Sequence, residues 1–343
     1  MSTRIGLLAC ILALAGGAFA ASRVTPVEAS VRLDPTIADE GPTADRPREP
    51  AEPVPIRTPR LDPTDDLSAL HAASVGLEDG RVITGESRQR VLLFTFDDGP
   101  ERRTTPQLLD ALDRYEVKAV FFVTVDRLDG PGNRIEEQRE LLKEIVRRGH
   151  VIGNHTVTHQ QLPLMTTNAI AEELDHADRV LEELVGIRPR LFRPPGGSRS
   201  PRADRILADR GYTQMLWSHG TGDFQVETPE DVESIFRRVL DRREREEGIR
   251  GGIVLMHDTH PWTVAAFPRI MEMLESRNCE LMAKGEELYD VVGDPSLFYE
   301  ARDDAEPGTQ APTLELPPAV HERRQARRRA EARARCEATF ARR

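Results

Sequence analysis

The sequence has little cysteine and no long apolar run. Only three cysteines occur in 343 residues. Cys279 lies in a predicted strand and Cys336 in a distant polar tail. We therefore expect no disulfide framework, and a single bridge between these two cysteines is the alternative. The apolar run at residues 5–15 is too short to cross a bilayer comfortably. These absences argue against a disulfide-stapled fold and against a membrane span in this run.

The N-terminus has the pattern of an export signal. Arg4 precedes the apolar run, and Ala18-Phe19-Ala20 supplies small residues at the positions that signal peptidase accepts. We therefore predict a signal peptide over residues 1–20 and a periplasmic, cell-envelope or extracellular protein. A retained N-terminal anchor is the alternative.

Acidic residues outnumber basic residues except at the C-terminus. The formal net charge is -11, which argues against nucleic acid as a partner of the main body. Residues 321–343 nevertheless hold nine Arg and three Glu. We describe 296–343 as a polar segment followed by an Arg-rich tail, which forms either a solvated helix or a frayed end. The alternative is contact with an anionic wall polymer or a membrane.

Composition divides the rest of the chain in two. Residues 21–87 are rich in Pro and charged residues without an apolar period, which predicts a flexible linker. Over 88–295, strand and helix patterns alternate, which predicts an α/β fold with about seven parallel strands in a closed or nearly closed barrel. The predicted strands are Val91–Phe96, Lys118–Val125, Val151–Asn154, Arg190–Arg193, Thr213–Trp217, Gly252–His257 and Cys279–Ala283.

Residues capable of chemistry lie at or just beyond the ends of five predicted strands. They are Asp97, Asp98, His155, Arg193, Asp223 and His257. In a parallel barrel all these strand ends meet on one face, where such folds build their active sites. Polar residues with purely structural roles would not be expected to gather on that one face.

Three of the side chains in this region suit a metal ion. Asp98, His155 and His159 offer one carboxylate and two imidazoles, and the two histidines are four residues apart. Three protein ligands leave a position open, as in catalytic sites. Zn²⁺ is the default ion, with Co²⁺, Ni²⁺ or Mn²⁺ as alternatives.

The remaining side chains suit hydrolysis of an amide. Asp97 is the candidate base, and Arg193 could pair with it. His257 is the candidate acid, favoured in its charged form by Asp223. A backbone N–H near Gly196 could share the oxyanion with the metal.

The order of motifs resembles the polysaccharide deacetylases, the NodB-homology enzymes of carbohydrate esterase family 4. The motifs are Thr95-Phe96-Asp97-Asp98-Gly99-Pro100, His155-Thr156-Val157-Thr158-His159, Arg193-Pro194-Pro195-Gly196, Asp223-Phe224 and Leu255-Met256-His257-Asp258. The resemblance covers about 88–295. It implies a distorted (β/α) barrel and the metal, base and acid roles given above. It also implies that Leu255 and Phe224 wall an acetyl pocket and that Gly196 supplies the oxyanion N–H.

Two motifs depart from the family pattern. Gly196 stands where the family usually has Tyr, so a side-chain wall of the substrate groove is lost. Phe224 stands where Trp is usual, and Gly220 stands where an earlier Asp is common. The metal ligands match the pattern fully.

The leading functional hypothesis is removal of N-acetyl groups from a polysaccharide that contains GlcNAc or MurNAc, such as peptidoglycan or a chitin-like glycan. One alternative is an O-acetyl esterase acting on a polysaccharide such as xylan. Another is a barrel that binds carbohydrate without catalysis.

Overall fold

The computed structural model describes residues 80–298 and 315–340. The predicted signal peptide, the linker up to residue 79 and the segment 299–314 lie outside the described residues. Within the described ranges, no helix combines the length and the apolar character needed to cross a membrane.

One curled sheet forms the centre of the fold. Its strands are β1 (Val82–Ile83), β2 (Glu86–Ser87), β3 (Val91–Asp97), β4 (Val120–Val123), β5 (Val151–Asn154), β6 (Leu191–Phe192), β7 (Thr213–Met215), β8 (His219–Gly220), β9 (Gly251–His257) and β10 (Asp290–Val291). Their order is β1-β7-β6-β5-β4-β3-β9-β2, with β10 also paired to β3 and β8 to β9. All pairings are parallel except that of β2 with β9. The α/β barrel class is confirmed.

The segment 82–87 connects the two edges of the sheet. β1 pairs with β7, β2 pairs with β9, and the Ile253 amide donates to the Gly85 carbonyl at 3.1 Å. A Cβ on Gly252 would lie 2.2 Å from that carbonyl oxygen, so only glycine permits this approach. The sheet therefore begins before residue 88, where the sequence analysis placed the domain start. β1 and β2 have only two residues each, too short a pattern to be recognised next to the polar segment before them.

Seven helices surround the sheet in the described ranges. They are α1 (Thr105–Arg114), α2 (Asn133–Arg147), α3 (Thr167–Val185), α4 (Pro201–Asp209), α5 (Pro229–Glu247), α6 (Pro261–Ala283) and α7 (Pro318–Phe340). The predicted strand Cys279–Ala283 is wrong, because these residues form the last turns of α6. Cys279 and Met282, one turn apart, both pack against α7.

Both faces of β3 are buried, which explains its continuous apolar run. Val91 and Leu93 pack inside the barrel with residues of neighbouring strands such as Phe122 and Ile253. Leu92, Phe94 and Phe96 point the other way and pack against the helices. Because side chains alternate along a strand, Asp97 projects on the same side as Leu93, toward the barrel mouth.

A disulfide joins Cys279 of α6 to Cys336 of α7, with 5.6 Å between their Cα atoms. The sequence analysis left this single bridge open, and the structure shows it formed. Nothing in the sequence required it, because Cys279 was placed in a strand rather than on a helix that faces the tail. Gln325 also anchors α7, since its side chain accepts from the Leu288 amide at 2.8 Å and donates to the Leu288 carbonyl at 2.9 Å.

Several arginines of α7 bond to groups elsewhere in the protein, although others are exposed. Arg324 pairs with Asp290 at 2.5 Å, Arg328 donates to the Tyr289 carbonyl at 3.2 Å, and Arg335 pairs with Glu275. Asp290 belongs to β10, which pairs with the first residues of β3. The helix thus docks at the amino ends of the strands, and its basic character complements acidic groups of the domain itself.

We predict that replacing both Cys279 and Cys336 with serine lowers the free energy of unfolding by about 2–4 kcal/mol. The bridge spans 57 residues, and cross-linking a loop of this size restricts the unfolded chain. Urea unfolding with and without reductant measures the loss, and reduced wild-type protein should behave like the variant. An unchanged unfolding midpoint would contradict the prediction.

Candidate active site

The ends of neighbouring strands bring the predicted residues together. In the register of β3 with β9, Asp97 is paired with His257. On the other side, β5 and β6 pair through Asn154 and Phe192, so His155 and Arg193 follow at the same level. The parallel arrangement therefore places base, acid and ligand candidates around one mouth of the barrel.

Arg193 is fully buried and holds Asp97. Its Nη1 donates to Asp97 Oδ1 and to Thr95 Oγ1, both at 2.7 Å. The guanidinium also stacks over the Phe122 ring, 4.1 Å from its centroid. Burial raises the pKa of Asp97 and the charge of Arg193 opposes that rise, leaving the pKa above its ordinary value.

Asp98, His155 and His159 form a cluster suited to a cation. Their candidate ligand atoms all lie within 4.8 Å of one another. Asp98 Oδ1 is 3.6 Å from His155 Nε2 and 3.4 Å from His159 Nε2. This buried oxygen accepts no hydrogen bond from any described residue. A buried carboxylate oxygen without a donor is costly, so the three residues fit a divalent ion.

His155 is oriented by the backbone. Its Nδ1 lies 2.7 Å from the Arg193 carbonyl oxygen and donates to it, which leaves Nε2 facing Asp98. Burial lowers the pKa of His155 to about 3, so its imidazole is neutral at physiological pH. A neutral imidazole with a free Nε2 is the form that binds metals.

His257 and Asp223 form the second charged pair. His257 Nδ1 lies 2.9 Å from Asp223 Oδ1, and the His257 amide donates to Asp223 Oδ2 at 2.7 Å. Burial works against the imidazolium, but the hydrogen bond and charge of Asp223 outweigh it and raise the pKa of His257 to about 9. The imidazole can therefore hold a proton at neutral pH.

The first turn of α6 holds Asp223 in place. Thr263 donates to Asp223 Oδ2 at 2.9 Å, and Trp262 Nε1 donates to the Asp223 carbonyl at 2.7 Å. The sequence analysis missed both residues. The sequence could have indicated them, because both follow the His257 motif directly. The helix that begins there starts at the same barrel mouth.

The residues predicted to contact substrate lie around this mouth. Phe224 is 60% exposed, and its ring centroid is 5.9 Å from that of His257. Leu255 is two residues before His257 on β9 and is buried. Gly196 adopts a left-handed conformation, with φ 61°. The Trp217 ring packs against the neighbouring Gly197, where a Cβ would lie 2.8 Å from it.

Asp258 is a buried carboxylate to which the sequence analysis assigned no role. It accepts from Thr105 Oγ1 at 2.5 Å, and Thr105 Oγ1 accepts from the Glu101 amide at 2.8 Å. A Cβ on Gly99 would overlap the Asp258 carboxylate at 2.1 Å. Asp258 thus fixes the turn that follows Asp98. The chain offered no pattern for this contact, since 153 residues separate Thr105 from Asp258.

Comparison with known families agrees with this geometry. The family described as Polysaccharide deacetylase matches residues 84–215. A peptidoglycan-N-acetylglucosamine deacetylase of Bacillus cereus is 32% identical over 219 residues, which cover 61% of this chain and 94% of that protein. The match thus spans nearly the whole relative.

Two further similarities support the assignment. The peptidoglycan-N-acetylmuramic acid deacetylase PdaC of Bacillus subtilis is 27% identical over 199 residues, covering 58% of this chain and 39% of PdaC. A solved structure of T48 deacetylase with substrate aligns at a TM-score of 0.50 and 29% identity, covering 67% of this chain and 98% of that one. This chain belongs to the polysaccharide deacetylase family, the NodB-homology group of carbohydrate esterase family 4.

Proposed function

We propose that this protein is a metal-dependent hydrolase that removes N-acetyl groups from GlcNAc- or MurNAc-containing polysaccharide of the cell envelope. One observation carries the proposal. The Asp98 oxygen without a hydrogen-bond donor among the described residues faces two imidazole nitrogens, beside the Asp97–Arg193 and His257–Asp223 pairs. This combination supplies a cation site, a base and an acid in one place.

Asp98, His155 and His159 would hold the cation. Their two nitrogens and one carboxylate oxygen match the ligand types of Zn²⁺, with Co²⁺, Ni²⁺ or Mn²⁺ as alternatives. The ion would supply Lewis-acid polarisation of the acetyl carbonyl and of water.

Asp97 would act as the base. It is buried, its pKa is raised by that burial, and Arg193 fixes the orientation of its carboxylate. From there it can take the proton of the attacking water. The backbone N–H of Gly196, at the left-handed turn after Pro195, is the proposed additional donor to the developing oxyanion.

His257 would act as the acid. An amide leaves as an amine only if its nitrogen receives a proton, and His257 carries one at neutral pH because of Asp223. Phe224 and Leu255 flank this residue and would form the apolar walls around the acetyl methyl group.

The substrate class rests on the relatives and on the predicted export signal. The Bacillus cereus and Bacillus subtilis relatives are named as deacetylases of peptidoglycan GlcNAc and MurNAc, respectively. An enzyme carried across the membrane would meet such polymers in the envelope. The alternative of xylan O-deacetylation would need the proton of His257 less, because an alkoxide leaves more readily than an amide anion.

Acetate release by the full-length, metal-loaded protein tests the proposal. The panel comprises peptidoglycan, chitooligosaccharides and acetylated xylan, with bound metal measured in parallel. We expect release from N-acetylated glycans, and loss of both metal and activity in His155→Ala. Release from xylan alone would indicate the O-esterase, and glycan binding without release by metal-loaded protein would indicate a non-catalytic barrel.

We predict that Asp97→Asn lowers turnover by about 10²–10⁴-fold while metal content is retained. General base catalysis typically contributes that much, and asparagine keeps the shape of the side chain but cannot take a proton. Initial rates of acetate release measure the effect. Exposed Asp209→Asn serves as the control with the same change of charge. A decrease smaller than tenfold with metal bound would remove Asp97 from the role of base.

We predict that activity falls as pH rises through about 9, where His257 loses its proton. Asp223 raises this pKa, so Asp223→Asn should move the alkaline limb of the pH–rate profile downward, toward the ordinary histidine value of about 6.5. The control is Asp209→Asn, an exposed aspartate at the end of α4. An alkaline limb that stays in place in Asp223→Asn would show that the pair does not set the pH dependence.

A further inference from the structure

The loop 155–159, which carries both proposed histidine ligands, has an unfavourable backbone conformation at two residues. Thr156 has φ 68° and His159 has φ 58°, and neither is glycine. Side chains disfavour this left-handed region, so neighbouring groups must hold the loop in shape. The His159 side chain is 46% exposed and gains little support from packing.

One side of the loop is held by backbone bonds. The carbonyls of Thr156 and Val157 accept from the amides of Val125 and Asp126 at 3.1 and 3.2 Å. The Asn154 side chain accepts from the Thr156 amide at 2.7 Å. These bonds leave the amides at the centre of the loop, between the two histidines, to be satisfied from the other side.

Glu173 of α3 satisfies them. Its Oε2 accepts from the Val157 amide at 2.8 Å and from the Thr158 amide at 2.9 Å, and its Oε1 accepts from Thr158 Oγ1 at 2.7 Å. Both carboxylate oxygens are therefore engaged within the protein. One half-buried side chain thus fixes the two residues that separate Thr156 from His159.

We infer that Glu173 is a positioning residue that holds the 155–159 loop in its ligand-bearing shape and thereby sets the affinity of the site for its metal ion. The inference rests on the proposed metal site. Without Glu173, two adjacent amides would turn to water and the loop could relax out of the left-handed conformation at Thr156 and His159. The distance between the two imidazoles would then no longer be fixed.

Glu173→Ala tests the inference in the full-length protein. Residues that orient metal ligands typically contribute about 10- to 100-fold to metal affinity, so we expect the dissociation constant for Zn²⁺ to rise by that factor. Competition with a chromophoric chelator measures it. Glu172→Ala is the matched control, because it removes the same side chain one position away, where it is exposed. A Glu173→Ala dissociation constant within twofold of wild type would overturn the inference.

Two further measurements separate this inference from the proposed function. In the metal-free protein, the amides of Val157 and Thr158 should exchange hydrogen faster in Glu173→Ala than in wild type, and equal exchange would overturn the inference even if no metal binds. A wild-type protein that binds no Zn²⁺ would defeat the proposed function instead. Should Glu173→Ala fail to fold, Glu173→Gln and Thr158→Val each remove part of the contact, and both are expected to weaken binding to a smaller extent.

Discussion

The geometry of the candidate active site depends on the contacts of the buried Arg193 guanidinium. The Arg193 side chain donates hydrogen bonds to Asp97 and Thr95, and the Arg193 backbone carbonyl accepts one from His155. Further bonds run to the carbonyls of Met215 and Leu216 at 2.9 and 3.1 Å. A charge buried to this extent is tolerated only when it is paired and hydrogen-bonded throughout. Arg193 therefore connects the proposed base, a proposed metal ligand and the C-terminal end of β7.

In the proposed mechanism, the two charged pairs divide the chemistry between them. Asp97 beside Arg193 and His257 beside Asp223 face the same mouth, yet their surroundings adjust them for opposite tasks. Burial raises the pKa of the Asp97 carboxyl, and Asp223 outweighs burial to raise the pKa of the His257 imidazole. The raised pKa makes Asp97 a stronger base, and the raised pKa of His257 lets its imidazole keep a proton at neutral pH.

The sequence allowed the barrel and the site residues to be predicted because the long strands leave a strong signal. β3 and β9 are continuous apolar runs, and each ends in residues that can do chemistry. Four of the five two-residue strands were missed, and the end of α6 was taken for a strand, because a few residues cannot distinguish strand from helix. Contacts such as Glu173 with the ligand loop leave no pattern at all, since they depend on backbone amides that only the folded chain brings near.

The cross-link between α6 and α7 has a consequence for resistance to proteolysis. Endopeptidases cut helices that detach from a domain, and a helix packed on its surface can detach by local opening. Cys336 lies near the end of α7 and Cys279 near the end of α6, so fraying of either helix is confined by the other. The bond keeps α7 tethered to α6 during local opening, which lowers the population of detached helix that a protease can cut.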